Sequence, residues 1–399
     1  MSEQWQVWDA EVPADRDAWI ALWAASDERQ PFAHPDVCSL LRPAEGRLMA
    51  VALSHGGGHV LYPFFLREIS GSDGWRDIVS PYGYGGPMHW GLTDVEATAE
   101  VFWHRFDAWA LEHSVVSEFS RLSLFGETLL PYRGATRKRQ NNYVRDLSVS
   151  VEELGWEVAP KVRSNVRRAR REGVTIVIDT DGEFVDDFVR IYTETMQRRD
   201  SADWYRFERP FFEGLHAALA GQFAYVYAEL DGRLVSADLL LFGTDTSYYF
   251  LGGTEAAAFR ARPNDLVKME SMTWLKARGC RSYVLGGGVT AAPDDSLDRY
   301  KRGFAPHGRV DYLTGERIIS APAYDALLAA HRQRLAARGL DFDESSDFFP
   351  AYRRGAELLT PEAAETAPSA GGSPSTGGSA PAALSEESTP ARQAEPARS

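Results

Sequence analysis

Two short glycine runs constrain this chain more than any other feature: LGG at 251–253 and LGGG at 285–288, each directly after a stretch that reads as a β-strand. Glycine at a strand end lets the backbone bend or another group approach closely, and it weakens the ladder it sits in. Two neighbouring strands that both end this way are expected to splay and leave a slot for an extended acyl donor. The elements around them read in the order β-α-α-β-β-β-α-β: a strand over 174–179, helices over 183–199 and 210–220, and strands over 223–230, 234–242 and 247–251. A helix over 264–278 and a strand over 281–285 close the unit. Asp231-Gly232 is a hairpin turn. Upstream, Pro160 opens a basic helix that runs to Glu172 and stops at Gly173.

The first 150 residues carry a second set of signals. Trp19, Leu22 and Trp23 share one helical face, Gly56 to Gly58 turn a hairpin, and Thr93 with Glu96 has capping-box spacing before a helix that ends near His113. Strands are expected near 121–125 and 143–149. With 399 residues the chain has room for about two domains.

Composition narrows the function classes. The formal charge is −14 and 44% of residues are apolar, as in ordinary globular proteins. There is no basic stretch before an unbroken apolar run and no apolar window of about 20 residues, so a cytoplasmic protein without a membrane span is expected. Cys38 and Cys280 are too few for a disulfide framework, and nine histidines form no metal-ligand spacing. Walker, dinucleotide, HExxH and GxSxG motifs are missing, which removes the kinase, dehydrogenase, metalloprotease and serine hydrolase classes.

Seven strings, in order and spacing, carry a resemblance: SPYGYGGP (80–87), KVRSNVRRARREGV (161–174), TMQRRDSADWYRF (195–207), LVSADLLLF (234–242), YYFLGGT (248–254), RPNDLVKMESMTWLKARGC (262–280) and LGGGVTAAPDDSLDRYKRGFAP (285–306). Together they resemble the Fem family, the aminoacyl-tRNA-dependent peptidyltransferases built from two GNAT-like domains. The resemblance implies an α/β (α+β) fold of two tandem GNAT-like domains with mixed, largely antiparallel sheets. The first would be residues 1–150 completed by about 316–355, on the acceptor side; the second, residues 151–315, would face the donor. No heptad stretch long enough for the helical arm of some Fem enzymes is present. The resemblance also makes Lys301 the lysine near the reacting ester and Phe304 its neighbouring aromatic, with no covalent intermediate, no metal and no cofactor beyond the donor.

Other candidates come from the residues themselves. Alternation in LVSADLLLF puts Ser236 and Asp238 on one face of an otherwise apolar strand, where a carboxylate must be paired or face a cleft. It either serves the acceptor amine or forms a buried ion pair, with Arg198 or Arg199 as the expected partner. Arg198 itself, at a helix end, is a candidate substrate contact, as is Tyr249 beside the first glycine run. Asp295 and Ser296 read as a helix cap. Tyr82, Tyr84, Gly85 and Gly86 form a loop whose aromatic faces and backbone N–H groups suit an extended acceptor. Arg163, Arg167, Arg170 and Arg171 lie on one helical face, with Arg137, Lys138 and Arg139 as a second cluster. Against a negative body such a patch suits phosphates, whether of a tRNA 3′ end or of a pyrophosphate.

The donor divides two expectations. The leading one is an aminoacyltransferase that moves an amino acid from aminoacyl-tRNA to an amine of a peptide or peptidyl-nucleotide acceptor, a peptidoglycan precursor or a natural-product intermediate. The alternative is a GNAT-type N-acyltransferase using acyl-CoA or another thioester on a small amine or sugar. Acetyl-CoA enzymes hold pyrophosphate on a glycine-rich loop, whereas FRARPNDL (259–266) has a proline and no glycine there. Residues 356–399 read as a disordered tail, because Ala, Ser, Gly and Pro dominate and Leu384 is the one large apolar residue after Pro361. Deletion of residues 361–399 is expected to leave the thermal midpoint unchanged; a clear drop in a melting experiment would show that the segment packs on the body.

Overall fold

The computed structural model describes residues 3–43, 45–199, 207–288 and 295–355. The tail lies outside them. The described residues divide into two compact units, 3–139 with 311–355, and 140–310.

The first unit holds β1 (Gln4–Asp9), α1 (Pro13–Ala24), α2 (Pro35–Leu40), β2 (Arg47–His55), β3 (Gly58–Glu68), β4 (Arg76–Val79), β5 (Met88–Trp90), α3 (Val95–Glu112) and β6 (Val115–Arg121). The second holds β7 (Ala135–Asp146) from Gln140 on, α4 (Val151–Glu157), α5 (Pro160–Arg171), β8 (Thr175–Asp179), α6 (Val185–Arg198), α7 (Arg209–Ala218), β9 (Phe223–Leu230), β10 (Arg233–Phe242), β11 (Thr246–Thr254), α8 (Pro263–Ala277), β12 (Ser282–Gly287) and α9 (Ser296–Phe304). The chain then returns to the first unit through β13 (Arg309–Ile318) and α10 (Ala321–Ala336).

In the first unit the strand order is β1-β2-β3-β4-β6-β13, antiparallel except for β4 with β6. Gly56 and Gly57 turn the β2–β3 hairpin in the left-handed region that glycine favours. The helix expected from Thr93 is capped one residue later: Asp94 accepts from the Ala97 N–H at 2.9 Å. Its Phe102, Trp103 and Phe106 pack on Tyr62 and Phe64. A strand expected near 121–125 lies earlier, as β6, because the long helix ends at Glu112 and Ser114 turns the chain with a positive φ.

In the second unit the strand order is β7-β12-β11-β10-β9-β8. Its helices cover an apolar core in which Val162, Val166 and Ala169 of α5 meet Leu266, Met272 and Leu275 of α8. β9 and β10 lie within a residue of their expected bounds, and the Asp231-Gly232 turn has both φ angles positive. Missed at the sequence level was α4, although Ser150 and Glu153 close a complete capping box before it. Among the described residues no helix is long and apolar enough to cross a membrane.

The first unit is pinned by buried charge. Asp77, with no exposed surface, accepts from Arg67 at 2.8 Å, from Arg353 at 2.5 Å and from the Tyr352 hydroxyl at 3.1 Å, which ties the segment after α10 to β4. Removing one partner of a buried pair strands the others in low dielectric. Asp77→Ala is expected to cost about 3–5 kcal/mol in urea unfolding; a loss under about 1 kcal/mol would show that the two arginines are satisfied by solvent.

Candidate active site

β11 and β12 pair in parallel over only three residues, Thr246 to Tyr248 against Ser282 to Val284, and both strands continue past that point. The continuations are the glycine-ended stretches, so the pairing of the two strands stops short of both glycine runs. A β-bulge at Phe250 of β11 re-registers that strand on β10 between Leu239 and Leu240, and another at Leu285 of β12 shifts its pairing with β7.

The glycines are there because side chains need the space. A Cβ on Gly252 would lie 2.7 Å from Asp238 Oδ1 and 2.7 Å from Tyr249 Oη, and one on Gly287 would lie 2.7 Å from Gln140 Nε2. Gly252 is the cross-strand partner of Asp238, which places the carboxylate beside the first glycine run.

Lys301 projects from α9, whose N-terminus is capped by Asp295 accepting from the N–H groups of Leu297 and Asp298. Its Nζ is buried and donates to the Gly287 carbonyl at 2.6 Å, so it sits on the glycine end of β12. Burial, with the nearby Lys268 cation, holds its pKa well below the usual lysine value.

Asp238 is 1% exposed, and its partner is not Arg198 or Arg199 but Lys268, which lies 2.6 Å away and is equally buried. Arg198 instead donates to the Thr254 carbonyl at 3.1 Å and stacks on Phe259, so it is engaged at the end of β11. Burial raises the Asp238 carboxyl and pushes Lys268 down to about 8, with their mutual attraction opposing both shifts. Lys268 Nζ lies 2.9 Å from the centre of the Tyr249 ring, and Lys301 Nζ 6.0 Å from it. Lys268 went unrecognised in the sequence, yet a signal was there: with Met272 and Leu275 it occupies the i, i+4, i+7 stripe that α8 turns to the core.

The remaining candidates distribute as follows. Phe304 is fully buried in the second core, its ring 5.0 Å from Tyr300. Tyr82 and Tyr84 are buried in the first unit, where the Tyr84 ring packs edge-on against Phe32 and Tyr312. Gly85 continues as a parallel bridge to Leu122, and Gly86 turns with a positive φ. On α5, Arg163 donates to the carbonyls of Trp156 and Val158 at 2.7 and 2.6 Å, and Arg170 pairs with Glu270 at 2.8 Å. Arg167 and Arg171 are exposed. Arg137, Lys138 and Arg139 are matched by Glu316, Asp311 and Asp347.

The start of α8 is where a GNAT-type phosphate loop would lead. Here Arg262 caps in the left-handed region, Pro263 offers no N–H, and the third residue, Asp265, is a buried carboxyl hydrogen-bonded by Asn165 at 3.1 Å. A helix N-terminus holding its own carboxylate is a poor seat for a pyrophosphate. Among the described residues no group of three His, Cys, Asp or Glu side chains is placed to hold a metal ion.

Known proteins resemble this chain in part of its sequence and in its fold. Residues 160–302 match the family described as an acetyltransferase (GNAT) domain. A UDP-N-acetylmuramoylpentapeptide-lysine N(6)-alanyltransferase from Weissella viridescens is 26% identical over 172 residues, 42% of this chain and 49% of that protein, so the match spans about half the relative's length. Among solved structures, FemX superposes with a TM-score of 0.60 at 13% identity, over 82% of this chain and 99% of that one. L-PGS from Bacillus licheniformis superposes at 0.50 with 12% identity, over 84% and 99%. At these identities both structures speak to the fold.

Burial pushes the Asp265 carboxyl up to about 6 from an ordinary 3.8. The folded state thus holds this proton more tightly than the unfolded chain, and stability falls as pH rises between those values. Asp265→Asn is expected to raise stability at pH 7.5 by about 2–3 kcal/mol, a gain that shrinks as pH drops through 6 toward 4. Denaturant titrations at several pH values check it; a pH-independent change would place the carboxyl in contact with solvent.

Proposed function

From the GNAT-type domain at residues 160–302 and the likeness to a Fem-type alanyltransferase, we propose that this chain is an aminoacyltransferase. It moves an amino acid from the 3′ end of aminoacyl-tRNA to an amine of a peptide-type acceptor, a peptidoglycan precursor or a natural-product intermediate. The observation that carries the reading is the parting of β11 from β12 with Lys301 seated on its glycine edge. An extended aminoacyl ester lies in such a slot with its carbonyl toward the lysine.

The chemistry is amide formation. The acceptor nitrogen attacks the ester carbonyl, a tetrahedral oxyanion forms, and the bond to the ribose oxygen breaks while one proton passes from nitrogen to that oxygen. The chain's contribution is placement of both partners and N–H donors for the oxyanion, of which Lys301 is the principal one. The α8 N-terminus argues for a donor other than coenzyme A, through Pro263 and the buried Asp265. Arg167 and Arg171, exposed on α5, are suited to phosphates of the RNA end. The Tyr82–Gly86 loop is proposed as part of the acceptor side through its backbone rather than its inward-packed rings.

Calorimetry separates the donors. A hairpin mimicking the acceptor stem with a stable 3′-aminoacyl amide is expected to bind, the Arg167→Ala/Arg171→Ala variant to bind it roughly tenfold more weakly at low salt, and coenzyme A to give no heat. Coenzyme A binding without RNA binding would overturn the reading and make the chain a thioester-dependent N-acyltransferase.

A further inference from the structure

The chain uses lysine sparingly: five of its 43 basic residues are Lys, and the rest are Arg. Two of those five, Lys268 and Lys301, are the ones buried to 1% exposure around a single tyrosine ring. Arginine cannot shed its proton in a protein, whereas a buried lysine does so readily. A site that needed only fixed positive charge had the chain's favoured residue available; this one holds two amines.

The acids around the pair are unevenly placed. Asp238, from β10, is within hydrogen-bond distance of Lys268, not of Lys301, whose recorded bond is to a neutral carbonyl. α9's own acids, Asp295 and Asp298, attract a Lys301 cation while accepting from two backbone N–H groups and from the Tyr143 hydroxyl of β7 at 2.9 Å, and burial and Lys268 oppose them. β11 presents the Tyr249 ring and β12 the buried Tyr283. On the α5 side, Gly303 faces Val162 and Ala159, which are apolar.

We propose that Lys268, anchored by Asp238, is a positioning residue that keeps Lys301 a neutral amine, so that Lys301 takes and returns the proton of the transfer. This rests on the reading above that Lys301 lies at the reacting ester. A neutral Nζ donates one N–H to Gly287 and retains a lone pair. When the acceptor amine adds to the carbonyl, the new ammonium passes one proton to that lone pair. As the bond from the acyl carbon to the ribose oxygen breaks, the resulting Lys301 ammonium returns the proton to the departing oxygen, and the site ends as it began with no other reactant consumed.

The state of Lys301 is read without substrate by carbon-13 NMR of ε-labelled lysine, where five signals are assigned by single substitutions. In the wild type the Lys301 signal is expected to titrate well below those of Lys138 and Lys161. In Lys268→Met, and in the charge-matched Asp238→Asn/Lys268→Met variant that leaves no orphaned carboxylate, its midpoint is expected to rise by roughly one pH unit or more. A wild-type Lys301 that titrates with the surface lysines, or a midpoint unmoved in the folded double variant, overturns the proposal. The underlying reading fails separately: a folded Lys301→Met protein that transfers from a charged hairpin at the wild-type rate removes Lys301 from the chemistry, whatever its titration.

Discussion

The site depends on one backbone event, the separation of two parallel strands after three paired residues. A parallel ladder left intact would close the space between β11 and β12 with hydrogen bonds. Here the glycines that follow make room for neighbours no larger residue would tolerate: Asp238 and Tyr249 beside Gly252, Thr195 beside Gly253, Gln140 beside Gly287 and the Asp295 carboxyl beside Gly288. Weak strand formers and close approach are two consequences of the same missing Cβ. The end of the strand pairing and the close approach of these side chains therefore arise together.

The two units treat buried charge differently. In the first, Glu118 accepts from Tyr62, Tyr132 and Arg317, and Asp77 from two arginines and a tyrosine, so each carboxylate is surrounded by donors. Such saturation is architectural. In the second, Asp238 Oδ1 is buried with no hydrogen-bond partner among the described residues. Unmet polar atoms inside a protein carry a desolvation cost.

Much of this was legible in the sequence where local physics decides. The Asp231-Gly232 turn, the bounds of β9 and β10, the stop at Gly173 and the glycine-ended strand pair follow from dihedral preferences and alternation. What escaped depends on contacts between distant segments. Asp238 was recognisable as a carboxylate needing a partner, but the choice of Lys268 over Arg198 is made by which face of α8 packs on β10. The basic run of α5 looked like one patch, yet Arg163 and Arg170 turn onto local acceptors and leave Arg167 and Arg171 outward. Tyr82 and Tyr84 read as exposed aromatics beside glycines, and packing with Phe32 and Tyr312, far away in the chain, takes Tyr84 inward.

The central claim is that the reacting ester sits in the β11–β12 slot against Lys301. A crystal structure with a 3′-aminoacylamino-adenosine fragment, a stable mimic of the charged RNA end, tests it most directly. The account requires the aminoacyl carbonyl within hydrogen-bond distance of Lys301 Nζ, with the chain running between Tyr249 and Gly287. A fragment bound elsewhere in the second unit, with Lys301 still closed on the Gly287 carbonyl, would contradict it.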